Sequence, residues 1–204
     1  MTQYLKTEVQ PLSDLVSSEI VVASTSIATL LGGELISGSD RSSISGRLSI
    51  PEYQRPYRWQ VKHLQRLLLD LTEYFPRSND ATPPKHDFYL GSIILHQSRP
   101  ARKHTDVLSI IDGQQRLITL ALLAHVLKQR DLAKGIELTS PESQSRALYN
   151  LRWLEQQQLP AVDFTRVNIT LVVTRSEDDA YRFFETQNTG GVRLDAVSYT
   201  HLRA

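Results

Sequence analysis

The sequence predicts an α+β fold, in which helices and strands follow one another irregularly along one domain. Residues 61–71 carry apolar side chains at the i, i+3, i+4 and i+7 spacing of an amphipathic helix. Two short apolar runs, FYLGSIIL at 88–95 and VNITLVV at 167–173, have the length and the β-branched composition of strands. We therefore expect a sheet of modest size that packs against helices.

The composition is that of an ordinary globular protein, and it excludes several kinds of site. Of 204 residues, 40% are hydrophobic and 22% are charged, and the formal net charge is +1. Global charge therefore does not require a nucleic-acid or membrane partner. The absence of cysteine excludes a disulfide scaffold, a thiolate metal site and a cysteine nucleophile.

Nothing in the sequence predicts membrane insertion or export. No apolar run approaches the roughly 20 residues needed to span a bilayer. The first residues, MTQYLKTEVQPLSD, lack a basic region followed by an apolar stretch, so we expect no secretory signal. We expect a cytoplasmic protein without a membrane partner.

Further elements follow from local patterns. The prediction places one or two short helices in residues 13–31, a loop at 37–49, strands at 47–50 and 107–111, a buried helix at 117–126, and helices at 141–157 and 176–186. Gly91, within a predicted strand, marks a close approach of the backbone to another group. His125, on the buried helix, is predicted to be a hydrogen-bonded core residue.

The same patterns suggest three regions. We expect residues 1–24 to be a loosely ordered lead-in and residues 25–196 to form the domain. Residues 197–204 (VSYTHLRA) continue no recognisable element and resemble a translated junction sequence. We therefore interpret them as a non-native or truncated tail.

The leading candidate for a functional site is IDGQQR at 111–116, where a strand is predicted to turn into a helix. A helix N-terminus presents free backbone N–H groups and a partial positive charge, which attract phosphate. The planar guanidinium of Arg116 suits phosphate oxygens, and the amides of Gln114 and Gln115 can donate to phosphate or position a water. Asp112 would repel phosphate, so it suits a Mg²⁺ ligand or a group that orients water.

The same cluster also has a purely structural interpretation. A D-G turn before a helix is common, and Asp112 would then cap the helix and pair with Arg116. Against this, consecutive polar residues between two apolar runs lie at the edge of a core and must find partners. The pattern GxxxxGK[ST] is absent from the chain, so phosphate chemistry has no ordinary P-loop to use.

A second polar segment, PEYQRPYRW at 51–59, is held rigid by two prolines. Gln54 and Arg55 repeat the Gln–Arg pair of the first cluster and are predicted to form the opposite wall of the phosphate site. Aromatic and guanidinium groups suit stacking on bases. The candidates for sensing nucleic acid or its modification are Tyr53, Pro56, Tyr57, Arg58 and Trp59. The alternative is a structural lead-in, with the aromatic rings packed on the next helix.

A third segment, FETQNTGGVRL at 184–194, contains two adjacent glycines that permit positive φ. Asn188 and Thr189 are placed to reach a ligand. The alternative is the end of a helix followed by a turn.

Taken together, four motifs resemble the N-terminal domain of the GmrSD type IV restriction endonuclease family. They are IPEYQRPYRW, FYLGSIIL, IIDGQQRLITL and FFETQNTGGVRL, in this order over about residues 25–195. The DGQQR string of the family is complete at 112–116, and its QRPY string is complete at 54–57. The family's LTTL appears as LITL at 117–120, with one difference.

The resemblance implies a ParB-like, sulfiredoxin-related fold, a small mixed sheet surrounded by helices, that binds and hydrolyses a nucleoside triphosphate with Mg²⁺. It implies the catalytic residues Asp112, Gln114, Gln115 and Arg116, with Asp112 as the candidate metal ligand. It implies the nucleotide-binding residues Gln54, Arg55, Gly113, Thr119 and Asn188. The implied role is a sensor in bacterial defence against phage with modified DNA.

In that family a separate C-terminal nuclease domain, often of the HNH type, cuts the DNA. No such pattern follows residue 195. We therefore expect no DNA cleavage by this chain alone. The preferred nucleotide, the DNA modification and self-association are left open.

Two other functions compete with this interpretation. A non-catalytic DNA-recognition module would use the basic run Arg55, Arg58, Lys62, His63 and Arg66. A ParB-like nuclease would need metal-binding carboxylates, for which Asp112 and, with it, Glu52, Asp106 or Glu185 are the candidates. The nuclease ranks last.

Overall fold

The fold was obtained as a computed structural model, which describes residues 20–75, 86–97, 106–176, 178–180 and 182–183. Along these residues the elements are β1 (Ile20–Ser26), α1 (Ile27–Leu31), β2 (Ile36–Ser37), β3 (Ser43–Ile44), β4 (Arg47–Ser49), α2 (Val61–Tyr74), β5 (Phe88–His96), β6 (Val107–Asp112), α3 (Gln114–Val126), α4 (Arg130–Ala133), α5 (Pro141–Leu154), a 3₁₀ turn (Phe164–Arg166) and β7 (Val167–Thr174). Residues 178–180 and 182–183 are also helical.

The main sheet has the strand order β1-β7-β5-β6-β4. The pairs β1–β7 and β5–β6 are antiparallel, whereas β7–β5 and β6–β4 are parallel. A small separate hairpin joins β2 and β3. The mixed sheet with helices confirms the predicted α+β class, and the more specific ParB-like relation stays a prediction.

The core lies between one face of this sheet and the helices. In β7, Val167, Ile169, Leu171 and Val173 are all fully buried, at the period of two that points alternate side chains to one face. They belong to one apolar cluster with Leu64 of α2 and with the buried face of α3. Each such large apolar side chain contributes about 1.5–3 kcal/mol through its removal from water.

The opposite face of the sheet is covered in part by the residues after β7. Ala180 and Phe183 pack on Ile94, Ile111 and Val172. The predicted helix at 176–186 is confirmed at 178–180 and 182–183, Ser176 lies just before it and accepts from the Asp179 N–H, and residues 177, 181 and 184–186 lie outside the described residues.

Most predicted elements are confirmed within a few residues, including the three strands β5, β6 and β7 and the three long helices. The prediction of one or two short helices within residues 13–31 is confirmed by α1 at 27–31, whereas residues 20–26 form β1, a strand that the sequence patterns did not predict. The sheet thus includes residues 20–24, which the predicted boundary left outside the domain. The predicted loop at 37–49 contains the short β2–β3 hairpin. Residues 197–204 lie outside the described residues.

One predicted core residue is placed differently. His125 lies in the last turn of α3 and is exposed, although the helix buries most of its other side chains. The prediction of a core histidine is therefore wrong. The prediction was based on the nearly continuous apolar run, and such a run does not show which side of the helix faces water.

Candidate functional site

The candidate site forms where β6 ends and α3 begins. Gly113 is the residue before the helix and has a φ of +92°, a left-handed conformation that favours glycine. A side chain there would also collide with Ile93 of β5. The first bond within the helix runs from Leu117 N–H to the Gly113 carbonyl, at 3.0 Å. The N–H groups of residues 114–116 therefore have no acceptor within α3.

A small cavity lies beside this helix start. It has a volume of about 190 Å³ and is lined by Gln54, Arg55, Trp59, Ile111, Asp112, Gly113, Gln114, Gln115 and Arg116. The two predicted Gln–Arg segments, separated by more than fifty residues in sequence, thus share one cavity. Thr119 does not line it, and Asn188 lies outside the described residues.

Arg116 is the fixed cation of this cavity. Its Nη1 donates to the Leu90 carbonyl at 3.3 Å, and its Nη2 donates to the Ser92 carbonyl at 2.7 Å. Gly91, with a φ of +115°, lies between these two carbonyls, and a Cβ there would lie 2.7 Å from Arg116 Nη1. The predicted close approach at Gly91 is therefore confirmed, because a Cβ at this position would force the guanidinium to shift.

Asp112 places a carboxylate at the same end of the cavity. Its Oδ2 lies 3.4 Å from Arg116 Nη2, and its side chain is 37% exposed. The ion pair expected from a purely structural interpretation is thus present, yet the carboxylate still reaches solvent. Among the described residues, no three His, Cys, Asp or Glu side chains group closely enough to hold a metal ion. The structure offers Asp112 as a single protein carboxylate at the cavity.

The three glutamine side chains fasten the 54–59 segment to the helix start. Gln54 Nε2 donates to the Ile111 carbonyl at 2.9 Å, and Gln114 Nε2 donates to the Arg55 carbonyl at 3.1 Å. Both amides therefore use a donor for structure. Among the described residues, no hydrogen bond is found to the side-chain oxygen of Gln54 or of Gln114.

Gln115 is the most heavily bonded of the three. Its Oε1 accepts from the N–H groups of Arg58 at 2.8 Å and Trp59 at 3.1 Å, and its Nε2 donates to the Pro56 carbonyl at 3.3 Å. Both acceptor positions of its oxygen and one of its two amide N–H groups therefore hold the segment. A direct catalytic role for Gln115 stays a prediction, and its contacts favour positioning.

A buried hydrogen-bond chain holds the same segment from the other side. Thr119 Oγ1 donates to the Gln115 carbonyl at 2.8 Å, so Tyr57 Oη donates its proton to Thr119 Oγ1, at 2.7 Å. Asn150 Nδ2 in turn donates to Tyr57 Oη at 3.0 Å and to the Trp59 carbonyl at 2.8 Å. Burial raises the pKa of Tyr57 above its ordinary value, although the bonds to Thr119 and Asn150 oppose the shift.

Asn150 and Ser143 are residues that the sequence reasoning missed. Ser143 Oγ accepts from the Tyr57 N–H at 2.9 Å, and Asn150 is fully buried. Both lie on the buried face of α5 together with Ala147 and Leu154, at helical spacing. Polar residues on an otherwise apolar face were the available signal, because buried polar groups must be bonded.

The predicted sensing residues have different surroundings. Tyr53 is 52% exposed, whereas Tyr57 is fully buried and has no ring face free to stack on a base. Trp59 is half-buried and stacks on His63, with ring centroids 5.6 Å apart. Arg58 is exposed and pairs with Glu142 at 3.4 Å. Pro56 is half-buried within the same segment.

Comparison with protein families agrees with the arrangement of these motifs. The family model described as "GmrSD restriction endonuclease, N-terminal domain" matches residues 33–199. The chain belongs to this family, which confirms the resemblance drawn from its motifs. A comparison with individually curated proteins gave no match. No helix among the described residues is both long and apolar enough to cross a membrane.

Proposed function

We propose that this domain binds a nucleoside triphosphate at the cavity beside the α3 start and hydrolyses it, as the sensing half of a modification-dependent restriction system. Family membership supports a place in a restriction system. The nuclease that cuts the DNA would be a separate domain, as the resemblance implies. DNA, and in particular modified phage DNA, is the proposed partner.

The observation that carries the proposal is the convergence of anion-binding groups on one cavity. Free N–H groups and the positive end of α3 face the space that Arg55 and Arg116 also line. Helix starts of this kind bind phosphate, and a guanidinium held by backbone carbonyls acts as a preorganised charge. Arg116 has this support from Leu90 and Ser92.

The size of the cavity restricts how a nucleotide would lie. Pockets that enclose a whole small molecule have about 300–1,000 Å³, whereas this cavity has about 190 Å³. It therefore suits the phosphates, with the sugar and base at the rim, and we call it the phosphate cavity. Trp59 and the exposed Arg55 stand at that rim.

Asp112 is the proposed orienting group for the attacking water. The carboxylate is partly exposed and can accept a hydrogen bond from water, while Arg116 lies beside it. Mg²⁺, when it enters with the triphosphate, would neutralise phosphate charge and take Asp112 as its protein ligand, since this ion commonly uses one or two carboxylates together with substrate phosphates.

The test compares wild type with Asp112→Asn in phosphate release from each of the four nucleoside triphosphates, with affinity measured by calorimetry. We expect turnover to fall by about 100-fold or more, with affinity changed far less. Asp131→Asn, an exposed carboxylate on α4, is the matched control and should leave both unchanged. Equal turnover in wild type and Asp112→Asn would remove the role assigned to Asp112.

A further inference from the structure

A second and larger groove lies between the 57–60 segment and the first turns of α5. It has a volume of about 630 Å³, and its lining includes Arg58, Glu142, Ser145, Arg146 and Tyr149. We call it the α5 groove. Its volume is in the range of ligand sites, about 300–1,000 Å³, and it shares no side chain with the phosphate cavity.

The α5 groove presents one face of a helix. Residues 142, 145, 146 and 149 follow the i, i+3, i+4, i+7 spacing, so their side chains share one direction. Tyr149 is 58% exposed, which is unusual for a large aromatic side chain on a helix that packs on the core. The guanidinium of Arg146 lies 5.7 Å from the centre of the Tyr149 ring. The pair therefore presents a planar cation on an aromatic ring.

The charge of the α5 groove favours an anionic ligand. Arg58 and Arg146 supply two guanidinium groups, against the single carboxylate of Glu142. Glu142 pairs with Arg58 at 3.4 Å, but both side chains are more than half exposed. Such a pair contributes little, so a phosphate can replace the carboxylate at Arg58 at small cost.

We propose that the α5 groove binds single-stranded nucleic acid, with a phosphate between Arg58 and Arg146 and an unpaired base stacked on the Arg146–Tyr149 pair. Aromatic and guanidinium planes beside a positive groove are the usual means of holding unpaired strands. The inference names the DNA-contacting surface and in that respect rests on the proposed function. It differs from nucleotide binding in the side chains that it requires.

The buried chain gives the α5 groove a rigid floor. Tyr57 lies fully buried beneath the groove and is held by Asn150, Thr119 and Ser143. The backbone of Arg58 is held by Gln115 from the side of the phosphate cavity. A strand bound here would therefore meet side chains whose backbone is already fixed, so little ordering opposes binding.

The test is fluorescence anisotropy with the full chain and a labelled single strand of about 12 nucleotides, at about 50–200 mM salt. We expect Arg146→Ala to raise the Kd about tenfold and to reduce the slope of log Kd against log salt by about one phosphate contact. Tyr149→Ala should raise the Kd by a similar factor with the slope unchanged. Arg152→Ala, exposed on the same helix outside the groove, is the matched control and should stay within about twofold of wild type.

Nucleotide affinity, measured by calorimetry on the same variants, separates this inference from the proposed function. The Arg146→Ala and Tyr149→Ala variants should bind nucleoside triphosphate as tightly as wild type, because neither side chain lines the phosphate cavity. If wild type binds the single strand but no nucleotide, the proposed function is wrong and the inference about the α5 groove still holds. Unchanged strand binding in Arg146→Ala, or duplex bound as tightly as single strand, would overturn the inference.

Discussion

At the scale of single residues, the phosphate cavity depends on a cation whose position is determined by backbone rather than by opposite charge. Arg116 donates to two carbonyls of β5, at 3.3 and 2.7 Å. It has one longer contact with a carboxylate, 3.4 Å from Nη2 to Asp112 Oδ2. Backbone carbonyls do not titrate and do not rotate away. The main chain of β5 therefore holds the guanidinium in place independently of the Asp112 carboxylate.

Gly91→Ala tests this arrangement. The new Cβ would lie 2.7 Å from Arg116 Nη1 at a φ of +115°, so it should both strain the backbone and displace the guanidinium. We expect the free energy of unfolding to fall by about 1–3 kcal/mol and nucleotide affinity to fall as well. Urea denaturation and calorimetry give the two values.

Gly33→Ala is the matched control for that variant. Gly33 also has a positive φ, +69°, but nothing lies within 4 Å of its missing Cβ. It should lose about 1–2 kcal/mol of stability and keep full nucleotide affinity. If the two variants lost affinity equally, the contact between Gly91 and Arg116 would not matter for binding.

The clustering of residues was predictable from sequence where the residue type has one dominant use. Arg55, Asp112 and Arg116 were assigned to one site, and all three line one cavity. Tyr57 was assigned to sensing and lies fully buried. Aromatic side chains serve both cores and ligands equally well, so the sequence pattern alone does not separate these uses.

At the scale of elements, the start of α3 and the 54–59 segment form one unit. Gln115 makes three hydrogen bonds across it, and Gln54 and Gln114 make one each. The glutamines that looked like ligand groups in the sequence therefore also join two elements. Local patterns could not reveal this, because each bond connects residues more than fifty positions apart.

Gln115→Ala should loosen the segment without unfolding the domain. The N–H groups of Arg58 and Trp59 would lose their acceptor, and each lost bond costs about 0.5–1.5 kcal/mol. We expect hydrogen exchange at these two amides to become about tenfold faster, as measured by mass spectrometry or NMR. Gln144→Ala, which removes one exposed bond to the Leu138 carbonyl, should leave them unchanged. Unaltered exchange in Gln115→Ala would show that other contacts hold the segment.

Elements with a strong period were predictable, and weakly patterned ones were not. Helix α2 and strand β7 show clean periods of 3.6 and two. Strand β1 alternates buried Val21 and Ala23 with exposed Ile20 and Val22, so apolar residues occupy both faces and the alternation is hidden in the sequence. Its pairing with β7 and the Ser26 hydroxyl, which caps α1 at the Thr29 N–H, separate it from the helix that follows.

At the scale of the whole molecule, the buried Tyr57 hydroxyl should make the free energy of unfolding decrease as the pH rises into the alkaline range. Burial raises the pKa of Tyr57 in the folded state above the value of about 10 found in unfolded chains. Above that pH the unfolded state releases a proton that the folded state still holds. The contribution is therefore fully present below pH of about 10 and is lost as the pH rises through the folded pKa.

Tyr57→Phe should flatten this alkaline decline. The difference from wild type is at most about 1.4 kcal/mol per pH unit for one group. Urea unfolding at a series of pH values on either side of about 10 measures it. Tyr89→Phe, which removes a half-exposed hydroxyl, should follow the wild-type curve. Identical slopes in wild type and Tyr57→Phe would show that this tyrosine does not control alkaline stability.

The position of β7 also determines when the main sheet can form during synthesis on the ribosome. β7 lies between β1 and β5, yet it is the last of these three strands to be synthesised. Among the described strands of the main sheet, β1 has no neighbour and β5 lacks one of its two until residue 174 emerges. Unpaired edges of this kind attract other chains. The nascent chain therefore exposes an edge of β1 and an edge of β5 to other chains until the late strand β7 pairs with both.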